Sequence, residues 1–174
     1  SSATDATRDY VLSLDQGGDG APVLNVFGGK ITTYRKLAEN ALARLAPFFP
    51  GAGGDWTAGV ALPGGDFPVD GVGRLIDDLR ADYPFLGASW ARRLIRAYGS
   101  EARVMLGDAT TAADLGQDFG ATLTAREITW LMEHEFARRA EDVVWRRSRL
   151  GLRLSAEEID ALDQWMATAR SGQS

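Results

Sequence analysis

The sequence predicts a mainly α fold: a helical domain over residues 72–174, preceded by one β-hairpin and one helix. Three observations carry this. Only two runs, both near the start, have the β-branched and aromatic content of strands. Prolines and glycines then crowd residues 47–71, where neither a helical nor a strand period survives. From residue 72 onward apolar side chains recur at three- and four-residue spacing, and Ser/Thr-x-x-Glu signatures open helices at Thr124 and Ser155.

In chain order, Ser1 to Thr7 is small and polar and reads as a loose lead-in. Asp9 to Asp15 reads as a strand, Gln16 to Gly20 as a turn, and Pro22 to Phe27 as a second strand, together a hairpin with a long Gly-rich loop. A lone two-stranded hairpin is marginal in water. This one is therefore expected to belong to a larger sheet, with the chain beginning inside a domain. Tyr34 to Leu45 reads as a helix with its apolar face at Tyr34, Ala38, Ala41, Leu42 and Leu45. Residues 47–71, broken by Pro47, Pro50, Pro63 and Pro68, form a linker whose Trp56, Val60, Leu62 and Phe67 are expected to pack along a surface.

Val72 to Ala81 then carries Leu75, Ile76 and Leu79 on one face. Ser89 to Tyr98 carries Trp90, Leu94, Ala97 and Tyr98, with Gly99 placed to end it. Ser100 to Gly107 reads as a short capped helix. From Thr124 a helix presents Ile128, Leu131, Met132 and Phe136, and its face continues through Ala140, Val143 and Val144 toward Arg149. Ser155 opens the last helix, with Ile159, Leu162 and Met166 inward. The domain division is 1–46, 47–71 and 72–174.

The totals exclude several chemistries. A net charge of −5 argues against a dedicated nucleic-acid binder. With no cysteine there is no disulfide framework, no cysteine zinc site and no thiol nucleophile. A single histidine, His134, makes a histidine metal site or a Ser-His-Asp triad improbable. No apolar run approaches the ~20 residues of a membrane span, and no signal-peptide core stands at the start.

The stretch with most chemistry is Val26-Phe27-Gly28-Gly29-Lys30-Ile31-Thr32-Thr33-Tyr34-Arg35. Two glycines between a strand and a helix permit positive φ and close approach of the backbone. A helix start supplies unpaired N–H groups and partial positive charge, Thr32 or Thr33 can cap it, and Lys30 adds a full charge. The physical reading is a cradle for an anion or an anionic cofactor; a tight turn with a solvated lysine gives the same spacing. Arg8, just ahead of the hairpin, is placed near the same sheet edge as Lys30. Other candidates reduce to structure. Glu135, Arg138, Arg139, Glu141, Asp142, Arg146 and Arg147 read as a salt-bridged helix face, through Glu135–Arg139, Arg138–Asp142 and Asp142–Arg146. His134 reads as structural or exposed; Trp130, Trp145 and Trp165 read as core or rim. Gly71-Val72-Gly73 has no preceding strand and is set aside as a dinucleotide site.

Phe27-Gly28-Gly29-Lys30-Ile31-Thr32-Thr33-Tyr34-Arg35-Lys36-Leu37-Ala38-Glu39 resembles, nearly residue for residue, the close of the FAD domain in the FAD-dependent respiratory sn-glycerol-3-phosphate dehydrogenases. Leu62-Pro63-Gly64-Gly65, Tyr83-Pro84-Phe85-Leu86, Tyr98-Gly99-Ser100, Asp114 to Gly120 and His134 to Arg147 are similar to the same family, in its order, so the likeness spans Thr7 to about Ala169. The resemblance implies that the hairpin and first helix are left over from the end of an α/β FAD-binding domain. It implies oxidation of sn-glycerol 3-phosphate to dihydroxyacetone phosphate, with hydride passing to FAD and electrons to a membrane quinone. By position, Arg8 and Lys30 resemble the substrate-site cations, and Gly28, Gly29, Ile31 and Thr32 the turn against the flavin. The family works at the cytoplasmic face of the cell membrane; any peripheral attachment is expected to use other parts of the parent protein.

One departure matters: no Gly-x-Gly-x-x-Gly follows a strand, so the FAD pyrophosphate site is missing. The chain alone is therefore expected neither to hold FAD tightly nor to turn over. The helical domain's role is expected to be that of a cap or scaffold, with a possible homodimer. The competing class is a non-catalytic helical interaction module, for which the hairpin would be incidental.

Overall fold

The computed structural model describes residues 9–16, 18, 20–51 and 53–171. Arg8 and the whole lead-in, Ser1 to Thr7, lie outside these, as do Gly17 and Asp19 of the expected hairpin turn. The fold is mainly α, and the chain divides into two compact units with the break between Val60 and Ala61.

The first unit begins with β1 (Val11–Asp15) and β2 (Val23–Phe27), antiparallel, with Val11 opposite Phe27 and Asp15 opposite Val23. A 3₁₀ turn, Ile31–Thr33, leads into α1 (Tyr34–Leu45), and a second, Ala46–Phe48, follows it. The Asn40 amide meets the Tyr10 hydroxyl, tying α1 to the residue before β1. The apolar stripe expected to be inward on α1 is mostly solvent-facing: Tyr34, Ala38 and Leu42 are exposed, and only Ala41 and Leu45 are half-buried. The residue α1 does bury is Glu39. Two strands and one helix supply too little surface to cover the stripe, so Val11, Val23, Phe27 and Ile31 stay exposed as well. Trp56 and Val60, expected to pack along a surface, also face solvent.

In the second unit come α2 (Val72–Asp82), α3 (Ala88–Tyr98), α4 (Glu101–Leu106), α5 (Ala125–His134) and α6 (Ala156–Ser171). Leu79, Leu94, Leu106, Leu115, Leu123, Ile128, Leu131, Val143, Val144, Leu162 and Met166 are fully buried in one cluster. Each such aliphatic side chain stabilises the fold by about 1.5–3 kcal/mol. Leu62 is exposed, whereas Phe67 is half-buried. Ala97 faces outward, leaving Leu94, Ile95 and Tyr98 as the inner edge of α3.

Gly99 ends α3 at φ +56°. The Gly64 carbonyl meets this corner and accepts the Ser100 N–H at 3.0 Å. A Cβ on Gly99 would stand 1.8 Å from the Gly64 oxygen, so only glycine fits.

The helix from Thr124 does not run on toward Arg149. It stops at His134, where the Glu135 and Ala137 N–H groups both donate to the Leu131 carbonyl and Phe136 turns to φ +60°. Phe136 is thereby thrown outward, 82 % exposed rather than inward. The chain re-enters helix through a π-type segment, Asp142–Arg147, that buries Val143 and Val144. The Asp142 carboxylate opens it by accepting the Arg138 and Arg139 backbone N–H groups at 2.9 and 3.0 Å. The capping box at Ser155 forms as read: Ser155 N–H donates to Glu158 at 2.8 Å and Glu158 N–H to the Ser155 hydroxyl at 3.2 Å. The one read at Thr124 does not form, because Glu127 is engaged elsewhere. No helix among the described residues is long and apolar enough to cross a membrane.

Candidate functional site

The turn between β2 and α1 reverses the chain through two left-handed glycines, Gly28 at φ +74° and Gly29 at φ +110°. A Cβ on Gly28 would press the Asp9 carbonyl at 3.2 Å, and one on Gly29 the Leu37 methyl at 3.2 Å. The Asp9 carbonyl lies against Gly28, which places the residue after Arg8 beside this turn; Arg8 itself lies outside the described residues.

Lys30 is extended, at φ −118° and ψ 147°. Its carbonyl accepts both the N–H and the hydroxyl of Thr33, each at 3.0 Å. The Thr33 hydroxyl is thus spent on the turn, and no side-chain oxygen caps either the 3₁₀ turn or α1. Neither Thr32 nor Thr33 caps the helix as expected. The Thr33 and Tyr34 N–H groups are spent on the Lys30 and Ile31 carbonyls, and those of Ile31 and Thr32 have no side-chain acceptor among the described residues. Gly28, Gly29, Lys30, Ile31 and Thr32 are all exposed, and the Lys30 ammonium has no ion-pair partner among the described residues. Phe27, Ile31 and Tyr34 add exposed apolar surface around them. Donors, a cation and an apolar rim together suit a flat, anionic ring system better than a bare ion.

One turn further, α1 buries a charge cluster. Glu39, 4 % exposed, accepts from Arg35 at 2.6 Å, Lys36 at 2.8 Å and the Thr57 hydroxyl at 2.6 Å. The hydrogen bonds from Lys36 and then Thr57 hold the Glu39 carboxyl down at about 2. This cluster fastens Thr57, in the segment read as linker, to α1.

The helical unit holds a second buried network that sequence spacing does not reveal. Glu127, 2 % exposed, takes a two-pronged contact from Arg93 at 2.6 and 2.7 Å and the Tyr98 hydroxyl at 2.7 Å. Arg93 also donates to the Thr122 hydroxyl at 3.0 Å and carbonyl at 2.8 Å. Ala121 and Thr122, at φ +48° and +68°, are the strained residues this guanidinium holds in place. Burial, and then the neighbouring carboxylate, push the Tyr98 phenol well above its ordinary range. His134 is exposed and stacks on Trp130, with ring centroids 3.9 Å apart. In the charge cluster, Glu135 pairs with Arg147 rather than Arg139, and Arg146 meets Asp142 at 2.6 Å as spaced. No cluster of three metal-binding side chains exists among the described residues.

Comparison with known proteins bears on both units. The family model for the C-terminal domain of alpha-glycerophosphate oxidase matches residues 56–171. The aerobic glycerol-3-phosphate dehydrogenase of Escherichia coli K12 is 46 % identical over 164 residues, covering 92 % of this chain and 32 % of the relative. The glycerol-3-phosphate dehydrogenase of Pseudomonas aeruginosa is 47 % identical over 160 residues, covering 92 % and 31 %. The D-erythritol 1-phosphate dehydrogenase of Brucella abortus is 40 % identical over 163 residues, covering 94 % and 32 %. The chain spans about a third of the length of these relatives.

Proposed function

Because the chain belongs to the family of the C-terminal domain of alpha-glycerophosphate oxidase, we propose that it is the C-terminal part of a flavoprotein oxidising sn-glycerol 3-phosphate to dihydroxyacetone phosphate. FAD, when bound, supplies the hydride acceptor, and a quinone takes the electrons on. The observation that carries this reading is the exposed, uncapped Gly28-Gly29-Lys30 turn, within a chain 46 % identical to an aerobic glycerol-3-phosphate dehydrogenase. Lys30, with Arg8, would hold the substrate phosphate through charge-assisted bonds. Gly28, Gly29, Ile31 and Thr32 would lie against the flavin, where the open N–H groups at the helix start favour negative charge.

On this reading residues 1–46 close the FAD and substrate domain, 47–71 are the linker and 72–174 the helical domain. The exposed apolar side chains of α1 and the hairpin then face the remainder of the first domain. Without the pyrophosphate fingerprint the chain alone holds FAD weakly, and the parent protein acts at the cytoplasmic face of the membrane through other segments. Glycerol 3-phosphate is preferred over D-erythritol 1-phosphate because identity to the relatives named for it is higher, 42–47 % against 40 %.

The test is the visible flavin band of the intact protein under anaerobic conditions. Glycerol 3-phosphate should bleach it, a soluble quinone should restore it, and D-erythritol 1-phosphate should act more slowly. A colourless protein, or a flavin indifferent to glycerol 3-phosphate, would overturn the proposal.

A further inference from the structure

The helical unit carries a cleft of about 640 Å³ whose walls hold five arginines and no carboxylate. Arg92, Arg93 and Arg96 come from α3, and Arg149 and Arg153 from either side of the Leu150–Leu152 turn. Thr122 and Ser148 add hydroxyls, and Leu152, 79 % exposed, forms an apolar edge. In a chain of net charge −5 this concentration runs against the overall balance.

Some cations elsewhere in the helical unit have a carboxylate partner and others, such as Arg80, Arg126 and Arg139, have none among the described residues; what sets the cleft apart is that its unpaired cations converge on one space. Arg103 meets Asp82, Arg146 meets Asp142 and Glu141, and Arg147 meets Glu135. In the cleft only Arg93 is neutralised, by Glu127 behind the wall. Arg149 donates to the Trp145 carbonyl and keeps its charge. Arg92, Arg96 and Arg153 have no ion pair among the described residues. Arg92 and Arg96 also stand four residues apart on one helix, a like-charge spacing that works against the helix. Four uncompensated guanidinium groups from two distant segments therefore face one space. Each is a planar fork matched to the oxygens of a phosphate or carboxylate, and the volume exceeds what a single inorganic phosphate fills.

We propose that this cleft binds a phosphate-bearing anion through Arg92, Arg96, Arg149 and Arg153, a site built from residues other than those of the Lys30 turn. The probe is inorganic pyrophosphate, titrated calorimetrically into the intact protein at low ionic strength. Wild type should bind saturably, and R92Q/R96Q should bind at least ~10-fold more weakly with an unchanged circular dichroism spectrum. Arg153→Gln should weaken binding from the opposite wall. Lys30→Gln should leave this binding in place, which separates the site from the proposed substrate turn. Co-sedimentation with phosphatidylcholine vesicles, with and without phosphatidylglycerol, distinguishes the source. Arginine-dependent pelleting only with phosphatidylglycerol identifies a lipid headgroup; pyrophosphate binding without pelleting identifies a soluble phosphate ester. Absence of both, or R92Q/R96Q binding like wild type, overturns the proposal.

Discussion

Replacing Glu127 with alanine removes the acceptor at the centre of the buried network joining α3 to α5. Arg93 then loses two charge-assisted bonds, at 2.6 and 2.7 Å, and Tyr98 loses its partner at 2.7 Å. Breaking a buried ion pair from one side costs ~3–5 kcal/mol. Arg93 is 17 % exposed at its side chain and keeps both bonds to Thr122, which points to the lower end. The expected loss is about 3 kcal/mol, against about 1.5 kcal/mol for Glu127→Gln, which leaves one acceptor for either partner. With a urea slope of about 2 kcal/mol/M, Glu127→Ala should lower the unfolding midpoint by about 1.5 M. Arg93→Ala should cost at least as much, since it also frees the strained pair Ala121 and Thr122. The double variant should lose clearly less than the sum of the two. A midpoint shift below about 0.3 M, or strict additivity, would show that Glu127 and Arg93 do not form a coupled buried pair.

Gly99→Ala forces a side chain into the φ +56° corner and onto the Gly64 carbonyl, so the Ser100–Gly64 bond must open. The strain and the lost bond together cost about 3 kcal/mol, measurable as the same urea shift; a variant as stable as wild type would contradict it. The Glu39 carboxyl, depressed from 4.5 to about 2, is stabilised by its partners in the folded state. Its contribution is complete above the unfolded value and is lost as pH falls from about 4.5 through about 2. An NMR titration of the Glu39 carboxyl carbon should therefore show a midpoint near 2, and one at 4 or above would show that the Lys36 and Thr57 contacts do not persist in solution.

Local signals in the sequence translate well where a residue's partner is close in the chain. The bounds of α1, the stop at Gly99 and the reciprocal cap at Ser155 and Glu158 are all short-range chemistry. The failures have a different origin. Periodicity on α1 marks which side chains a helix can bury, not whether the unit around it supplies a cover, so Tyr34 and Leu42 remain exposed. The end of α5 at His134 carries no glycine or proline, because Phe136 itself takes the left-handed turn. Glu127 looked fully accounted for by a capping box, while its partner Arg93 lies 34 residues away on another helix. The turn from Gly28 to Thr32 stands out in the sequence because its residues are consecutive, whereas the arginine cleft unites segments that no local pattern connects.

On the proposed function, Lys30 holds the phosphate of a substrate oxidised at a flavin against the adjoining turn. Anaerobic bleaching of the intact protein's flavin by sn-glycerol 3-phosphate, followed at increasing substrate in wild type and Lys30→Gln, tests it most directly. Lys30→Gln should retain its flavin but require at least ~10-fold more glycerol 3-phosphate for half-maximal bleaching, the loss of one charge-assisted contact. Equal concentration dependence in the two proteins, with flavin bound in both, would contradict it.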